Sequence, residues 1–240
     1  MIRFDNVTKH FSGHNNALSN ITVEIKDGEF VFLIGPSGAG KTTFLRLLIR
    51  DILPTQGTVT IDDWSVNTLD RSKIHLLRRK VGTVFQDFKL LTDRTVFENV
   101  AVGLEILGKK PPEITSRVMD VLELVGLADK RYNFPLELSA GEMQRTGIAR
   151  AIVGGPNILL ADEPTGNLDP QTSWEVLDIL GEIHKIGTTV IMATHNAGIV
   201  NDLKKRTIAL EQGRIVSDEA KGKYHISPKA KGKKDHASTV

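Results

Sequence analysis

Cysteine is absent from this chain of 240 residues, and aromatic residues make up only 5% of it. Without cysteine, neither a disulfide bond nor a thiolate metal site can form. The sequence lacks any apolar run of the roughly 18 to 20 residues that a membrane-spanning helix needs, and residues 1–11 resemble neither a signal peptide nor a transit peptide. The composition is that of an ordinary globular domain, which we expect to stay in the cytoplasm.

Positive charge is concentrated in the last twenty residues of the chain, although the net charge is only +2 at pH 7. Residues 221–240 hold six lysines and one aspartate, which is +5, so residues 1–220 carry −3. A mildly acidic body does not suit a nucleic-acid-binding protein, and we expect no nucleic-acid partner. The tail is poor in apolar residues and is expected to be disordered. Two roles are open for it: weak contact with anionic lipid, or solubility alone.

The spacing of apolar residues predicts an α/β fold made of three parts. Short alternating segments in the first sixty residues predict an antiparallel β lobe at the edge of the fold. Three nearly continuous apolar runs, at residues 30–34, 158–161 and 189–193, are typical of parallel strands buried on both faces. Helical spacing from about residue 88 to 150 predicts an inserted α-helical lobe. We therefore place one domain at residues 1–220 and the tail at 221–240.

A glycine-rich loop follows the first buried strand and precedes a helical segment with no breaker until Pro54. This order of strand, loop and helix is the context of a P-loop, in which backbone N–H groups and a helix N-terminus bind phosphate. Lys41 is predicted to bridge the β- and γ-phosphates of ATP, and Thr42 to bind Mg²⁺. The predicted nucleotide contacts are Gly35, Pro36, Ser37, Gly38, Ala39, Gly40, Lys41, Thr42 and Thr43.

Two carboxylates, Asp162 and Glu163, follow the second buried run. Ligands of open α/β sheets bind at the C-terminal ends of the strands, so both are candidate site residues. Successive side chains of a strand point to opposite faces, which predicts different roles for the two. We assign Asp162 to Mg²⁺, through water, and Glu163 to polarising the water that attacks the γ-phosphate.

Further motifs make a specific family resemblance. They are Gln86 in Val84-Phe85-Gln86-Asp87, the segment Leu138-Ser139-Ala140-Gly141-Glu142, the segment Asn167-Leu168-Asp169, and His195. In this order they resemble the Q-loop, the LSGGQ signature, the D-loop and the switch histidine of the ABC ATPases, over residues 2–216. Phe11 lies where that family places the aromatic residue that stacks on adenine. Each motif alone also has an ordinary structural interpretation, but their shared order favours the family.

The resemblance implies a homodimer that forms around ATP. In the family, the signature of one subunit contacts the γ-phosphate held by the P-loop of the other. Ser139, Gly141 and Asp169 are therefore predicted to act on the nucleotide of the partner subunit. Gln86 is predicted to bind Mg²⁺ and, with Glu163 and His195, to take part in catalysis. Guanine specificity is not expected, because the sequence has no Asn-Lys-x-Asp motif.

The signature departs from the family pattern at Ala140, in place of glycine, and at Glu142, in place of glutamine. Ser139 and Glu142 also fit a capping box, which would make Ser139 the N-cap of a helix. Alanine is acceptable as the first helical residue but would be costly at positive φ. We expect a working signature with somewhat altered geometry.

Residues 85–91, 93–100 and 162–169 resemble the cell-division branch of the family. That branch implies an integral membrane partner, docked on residues 87–91 and 97–107, that controls peptidoglycan hydrolysis from the cytoplasmic face of the bacterial membrane. The first alternative is the ATPase subunit of a lipoprotein or macrolide exporter. A more distant alternative is a binding module that does not hydrolyse ATP. A soluble ABC protein acting on DNA or ribosomes would carry a coiled-coil insertion or two cassettes, and the sequence shows neither.

Overall fold

A computed structural model describes residues 1–11, 16–222 and 224 of the chain. Within these residues the strands form two sheets. In chain order the strands are β1 (Ile2–His10), β2 (Asn16–Ile25), β3 (Phe30–Ile34), β4 (Gln56–Ile61), β5 (Trp64–Ser65), β6 (Val81–Val84), β7 (Ile158–Asp162), β8 (Thr189–Thr194), β9 (Arg206–Glu211) and β10 (Arg214–Glu219). The α-helices are α1 (Lys41–Leu48), α2 (Ile74–Lys80), α3 (Val96–Ile106), α4 (Pro111–Leu124), α5 (Ala140–Ile152), α6 (Pro170–Lys185) and α7 (Ala197–Leu203).

The larger sheet has the strand order β10-β9-β3-β8-β7-β6 and is parallel except for the β9–β10 pair. Its central strands are apolar on both faces because each face is covered. In β3, Phe30, Phe32 and Ile34 face one hydrophobic cluster, and Val31 and Leu33 face the other. The mostly parallel sheet predicted from the three apolar runs is confirmed.

The smaller sheet has the order β2-β1-β4-β5, and all its pairs are antiparallel. It forms the predicted antiparallel lobe. Helix α1 packs against both β2 and β4 of this lobe and against β7 of the larger sheet. The helix ends at Leu48, although the sequence has no breaker before Pro54, because Arg50 adopts a left-handed conformation with φ of 49°.

Helices α3, α4 and α5 form the inserted helical lobe on the opposite face of the larger sheet. The apolar stripe of α4 is buried as its spacing predicts, through Val118, Val121 and Leu122, with Val125 at the C-cap. Thr95 begins α3 with a capping box to Glu98, and Pro111 begins α4 at its first turn, where the missing N–H is tolerated. The N-termini of α3 and α4 are thus set by residues at the start of each helix, and the packing of the lobe by the apolar faces of its helices.

The two cores meet at the sheet, and one aromatic pair attaches the P-loop helix to the antiparallel lobe. The rings of Phe4 in β1 and Phe44 in α1 stack with centroids 4.1 Å apart, and both side chains are fully buried. Offset stacking adds to the free energy gained by burying two large rings. This contact fixes the helix whose N-terminus faces the loop at residues 35–40.

Replacing Phe44 with alanine tests that attachment. Because the site is fully buried, we expect Phe44→Ala to lower the free energy of unfolding by about 3–5 kcal/mol. Urea denaturation without nucleotide measures it, since a bound ligand would add its own stabilisation. Phe134, which is 43% exposed, provides the control, and Phe134→Ala should change the free energy by less than about 0.5 kcal/mol. Equal effects of the two variants would contradict the assignment.

Candidate nucleotide site

A cavity of about 630 Å³ opens at the C-terminal ends of β3, β7 and β8. It brings together residues that are far apart in the sequence, as expected at this edge of an α/β sheet. Its lining residues are Ala17, Pro36, Ser37, Gly38, Ala39, Gly40, Lys41, Thr42, Thr43, Gln86, Asp162, Glu163, His195 and Tyr224. The P-loop, both carboxylates, the Q-loop glutamine and the switch histidine predicted from the sequence therefore meet in one place.

The P-loop wraps tightly around the N-terminus of α1. Gly40, the N-cap of that helix, has φ of 108°, and a Cβ there would lie 2.4 Å from the carbonyl oxygen of Ala17. Only glycine fits this position without displacing β2. Lys41 is 8% exposed, and its Nζ donates to the carbonyl oxygens of Gly35 at 2.8 Å and Pro36 at 3.3 Å. The lysine is thus held against the loop that curls around a phosphate.

Asp162 and Glu163 have different backbone conformations, and only Asp162 belongs to the strand. Strand β7 ends at Asp162, and Glu163 lies beyond it in a left-handed conformation with φ of 50°. The two side chains therefore point in different directions for another reason than the alternation along a strand, which was the basis of the prediction. Glu163 is fixed instead by its N–H, which donates to the carbonyl oxygen of Ala193 in β8 at 2.9 Å, and by its carbonyl, which accepts from Gly166.

The side chain of Asp162 has the properties of a metal ligand. Its Oδ1 is buried without a hydrogen-bond partner in the described part of the chain. Burial raises the pKa of this carboxyl above its usual value, although a hydrogen bond from Thr42 opposes the shift. An orphaned carboxylate oxygen beside a hydroxyl fits a hard cation such as Mg²⁺, which prefers oxygen ligands and keeps several positions for water and phosphate. Thr42, Asp162 and Gln86 are the residues that would hold it.

Glu163 connects the two sides of the cavity. Its Oε1 lies 3.5 Å from Nζ of Lys41, and its Oε2 lies 2.7 Å from Nδ1 of His195. The glutamate side chain is 13% exposed, whereas that of His195 is 64% exposed. A nearly buried carboxylate positioned by an accessible histidine can act on a water molecule at the end of the P-loop.

Ser139, Gly141 and Asp169 do not line this cavity. Ser139 is the N-cap of α5, and Asp169 is the N-cap of α6. The two helix starts touch, since a Cβ on Gly141 would lie 2.2 Å from Cγ2 of Thr172, and Arg145 pairs with Glu175 at 2.6 Å. The signature and the D-loop therefore form one unit on another surface of the chain.

The capping box predicted for the signature is present. The Ser139 hydroxyl accepts from the Glu142 N–H, and the Glu142 carboxylate accepts from the Ser139 N–H at 2.8 Å. That backbone hydrogen bond lowers the pKa of Glu142. Ala140 is the first helical residue and is absent from the residues with positive φ, so it carries no backbone strain. Glutamate is accommodated here because its charge lies at a helix N-terminus.

Phe11 is not part of the cavity wall either. Its ring is 44% exposed, and Nζ of Lys9 lies 5.1 Å from its centroid. An exposed ring at the end of β1 is accessible to a stacking partner, and its assignment to adenine stays a prediction.

Two residues of this region were missed from the sequence. Arg150, on α5, donates through its guanidinium to the carbonyl oxygens of Lys89 at 2.7 Å and Phe88 at 3.0 Å. Phe88 and Lys89 both have left-handed backbones, with φ of 56° and 48°. Arg150 thereby ties the segment after Gln86 to the signature helix. The other residue is Tyr224, which no local pattern marks and which lines the cavity from the C-terminal segment.

The family of this chain follows from comparison with known proteins. The family model described as ABC transporter matches residues 18–166, and the chain belongs to this family. Its fold matches the dimeric ATP-binding cassette MJ0796, solved in a post-hydrolysis state bound to ADP and Pi, with a TM-score of 0.84. That match has 34% sequence identity and covers 93% of this chain and all of the other.

Among curated proteins the chain is similar to those named cell division ATP-binding protein FtsE. It is 53% identical to FtsE of Bacillus subtilis strain 168 over 224 residues, which cover 93% of this chain and 98% of that protein. Identity to FtsE of Mycobacterium tuberculosis strain H37Rv is 51% over 225 residues, with 93% and 98% covered. For Escherichia coli K12 it is 44% over 215 residues, with 90% and 97% covered. Among the described residues, no helix has both the length and the apolar content to cross a bilayer.

The buried charge of Asp162 leads to a testable stability change. A raised carboxyl pKa means that folding disfavours the ionised form, so at neutral pH this charge destabilises the fold. We expect Asp162→Asn to raise the Tm of the nucleotide-free protein by at most about 2–4 °C, the change that about 1 kcal/mol gives in a domain of this size, because solvent partly screens this carboxylate. The same variant should lose most of the further increase in Tm that ATP with Mg²⁺ gives the wild type.

Thermal denaturation with and without ATP and Mg²⁺ measures both effects. Asp120→Asn, at an exposed position of α4, is the matched control and should behave as the wild type in both conditions. A lower Tm for Asp162→Asn combined with a full response to ATP and Mg²⁺ would show that Asp162 is structural.

Proposed function

We propose that this chain hydrolyses ATP as one half of a dimer that closes around the nucleotide, and that it drives a membrane partner in bacterial cell division. One observation carries the proposal. The P-loop, Asp162, Glu163 and His195 line one cavity, whereas the signature and the D-loop lie together outside it on the same chain. A single chain therefore supplies two halves of a site that do not meet, and a second copy completes it.

The chemistry assigned to each residue follows from its surroundings. Lys41 and the N-terminus of α1 bind the β- and γ-phosphates, because both present positive charge to the inside of the loop. Glu163 accepts a proton from the attacking water, and the hydrogen bond to His195 orients its carboxylate. Mg²⁺, held by Thr42, Asp162 and Gln86, would neutralise charge on the phosphate oxygens.

The second half of the site is built for phosphate in the same way. Ser139 and Asp169 begin two helices whose N-termini lie side by side, and helix N-termini attract anions. Ser139, Gly141 and Asp169 are assigned to the partner's nucleotide, with Ser139 and Gly141 at its γ-phosphate. The dimeric cassette MJ0796, 34% identical to this chain, supports the arrangement. Release of the γ-phosphate after hydrolysis removes the shared contact, and the subunits separate.

Glu163→Gln tests the dimer and the catalytic base together. The amide cannot accept the proton, so we expect the rate of hydrolysis to fall by at least about 100-fold while ATP still binds. With the γ-phosphate retained, the variant should elute as a dimer from gel filtration in ATP and Mg²⁺, and as a monomer in ADP. Glu123→Gln, at an exposed position of α4, should keep wild-type activity. A Glu163→Gln variant that binds ATP and stays monomeric would refute the shared site.

The assignment to cell division is supported by the relatives. Proteins named cell division ATP-binding protein FtsE are 44–53% identical to this chain and align with nearly their full length. We assign the membrane partner to the FtsX type, whose outer part controls a peptidoglycan hydrolase. In this assignment ATP-driven closure transmits a conformational signal and moves no transported substrate. The chain then acts as a peripheral protein on the cytoplasmic face of the bacterial membrane.

A groove beside the Q-loop is the surface for that partner. We call it the docking groove; its wall combines basic and apolar side chains from α2, the Q-loop and the end of α3. They include Arg78, Arg79, Phe85, Lys89, Ile106 and Leu107. Ile106 is 71% exposed and places a large apolar side chain beside the basic residues of the groove. The groove overlaps both predicted docking segments, 87–91 and 97–107, and fits a partner helix with apolar and acidic residues.

Ile106→Glu tests the docking groove without touching the nucleotide site. The variant loses an apolar contact and repels the acidic residues of the partner, so it should abolish co-purification with the FtsX-type partner, while the ATPase rate of the isolated chain stays within about twofold of wild type. Ile186, at the C-cap of α6, is 77% exposed and provides the matched control. If Ile186→Glu and Ile106→Glu retain the partner equally, the groove is not the docking surface. If an exporter subunit co-purifies in place of an FtsX-type protein, the alternative assignment holds.

Five of the six lysines of the predicted basic tail, all but Lys221, lie outside the described residues. We keep the proposal that this segment makes a weak contact with anionic lipid, supported by its charge of +5 against a body of −3. Lysines near an anionic surface contribute about 1 kcal/mol each before screening by salt, which would assist a protein partner and not replace it.

A further inference from the structure

Tyr224 reaches the nucleotide cavity from a segment beyond the last strand. It follows the end of β10 at Glu219 by five residues, packs against the larger hydrophobic core, and is half-buried. Its side chain is part of the cavity wall together with Glu163 and His195. Glu163 is also near enough to act on the phenol electrostatically, which places Tyr224 at the end of the cavity assigned to the γ-phosphate.

Helix α7 holds the backbone of Tyr224 in place. The Tyr224 N–H donates to Oδ1 of Asn201, on α7, at 2.9 Å. The N-cap of the same helix is Asn196, the residue directly after His195, and its Oδ1 accepts from Gly198 and Ile199. One short helix therefore carries His195 at its start and fixes Tyr224 near its end.

Gly222 sets the path that leads to Tyr224. Its N–H donates to the carbonyl oxygen of Lys205 at 3.2 Å, and a Cβ there would lie 2.4 Å from Cβ of Thr207, a buried residue of β9. Any side chain at position 222 would push the segment away from β9. The Tyr224 phenol can reach the cavity only because the backbone at Gly222 passes close to Thr207.

We propose that Tyr224 is a further nucleotide-contacting residue, whose phenolic O–H donates a hydrogen bond to the γ-phosphate of ATP. The proposal rests on the ATP-hydrolysing function proposed above. A neutral donor suits this place, because the neighbouring Glu163 carboxylate would repel a second anion. Burial, and secondarily the charge of Glu163, raise the pKa of Tyr224, which keeps the phenol protonated at neutral pH.

The first experiment compares variants of the full chain. We expect Tyr224→Phe to reduce the kcat/KM for ATP about tenfold, since a hydrogen bond to a charged group is lost, and to leave ADP affinity within twofold. Gly222→Ala retains the phenol but displaces it, and should reproduce the loss. The chain has only two tyrosines. The other, Tyr132, is 71% exposed in the helical lobe, so Tyr132→Phe is the matched control and should behave as wild type.

The second experiment observes the phenol directly by fluorine NMR of the chain labelled with 3-fluorotyrosine. Two resonances are expected, and Tyr132→Phe assigns them. The Ser139→Arg background blocks closure of the dimer, so any change reports the nucleotide bound to the same chain. A non-hydrolysable ATP analogue with Mg²⁺ should shift the Tyr224 resonance, and ADP with Mg²⁺ should shift it much less. The Tyr132 resonance should not move.

The outcomes distinguish a failure of the Tyr224 assignment from a failure of the proposed ATP-hydrolysing function. If the wild type neither binds nor hydrolyses ATP, the proposed function fails. If the wild type hydrolyses ATP, Tyr224→Phe matches it in kcat/KM, and the Tyr224 resonance is the same with the ATP analogue and with ADP, the function stands and the assignment of Tyr224 is wrong. Should Tyr224→Phe lower the Tm, the fluorine measurement on the unsubstituted tyrosine still decides the question.

Discussion

The buried ammonium group of Lys41 is the interaction on which the rest of the site depends. A lysine that is 8% exposed needs partners for its charge, and here two P-loop carbonyls and the Glu163 carboxylate surround it. To hold it there, the loop must curl tightly, which requires Gly40 beside β2 and a fixed α1. The stacked rings of Phe4 and Phe44 hold that helix against the antiparallel lobe. The position of the Lys41 ammonium group therefore depends on how helix α1 packs against both sheets.

The parts of the fold that the sequence predicts are those with local causes. The five-residue apolar run at Phe30–Ile34 predicts a strand covered on both faces, and in the structure its side chains alternate between the two cores. The helix cap at Ser139 is predicted from Ser139 and Glu142, which are three positions apart. The phosphate-binding role of Lys41 is predicted from its place directly after the glycine-rich loop. In each case the residues that decide the structure are neighbours in the chain, so the pattern is visible without the fold.

The features that escaped prediction depend on contacts between distant segments. Glu163 takes a left-handed backbone because its N–H pairs with Ala193, 30 residues away. The hydrogen bonds of Arg150 span more than 60 residues, to two carbonyls that no side-chain pattern reveals. Tyr224 enters the cavity because Gly222 passes close to Thr207 and Asn201 accepts its N–H. None of these contacts has a sequence signature, since each joins a side chain or an amide to a distant backbone.

Helix α5 has Ser139 at one end and Arg150 near the other, about 16 Å apart at 1.5 Å per residue. In the described part of the chain, the Arg150 guanidinium donates to two backbone carbonyls and not to a carboxylate, so these hydrogen bonds do not depend on the ionisation of a partner side chain. The helix therefore joins the segment after Gln86 to the signature at Ser139. A displacement of the segment at Lys89 would therefore move Ser139, and a displacement at Ser139 would move Lys89, with the same coupling free energy in both directions.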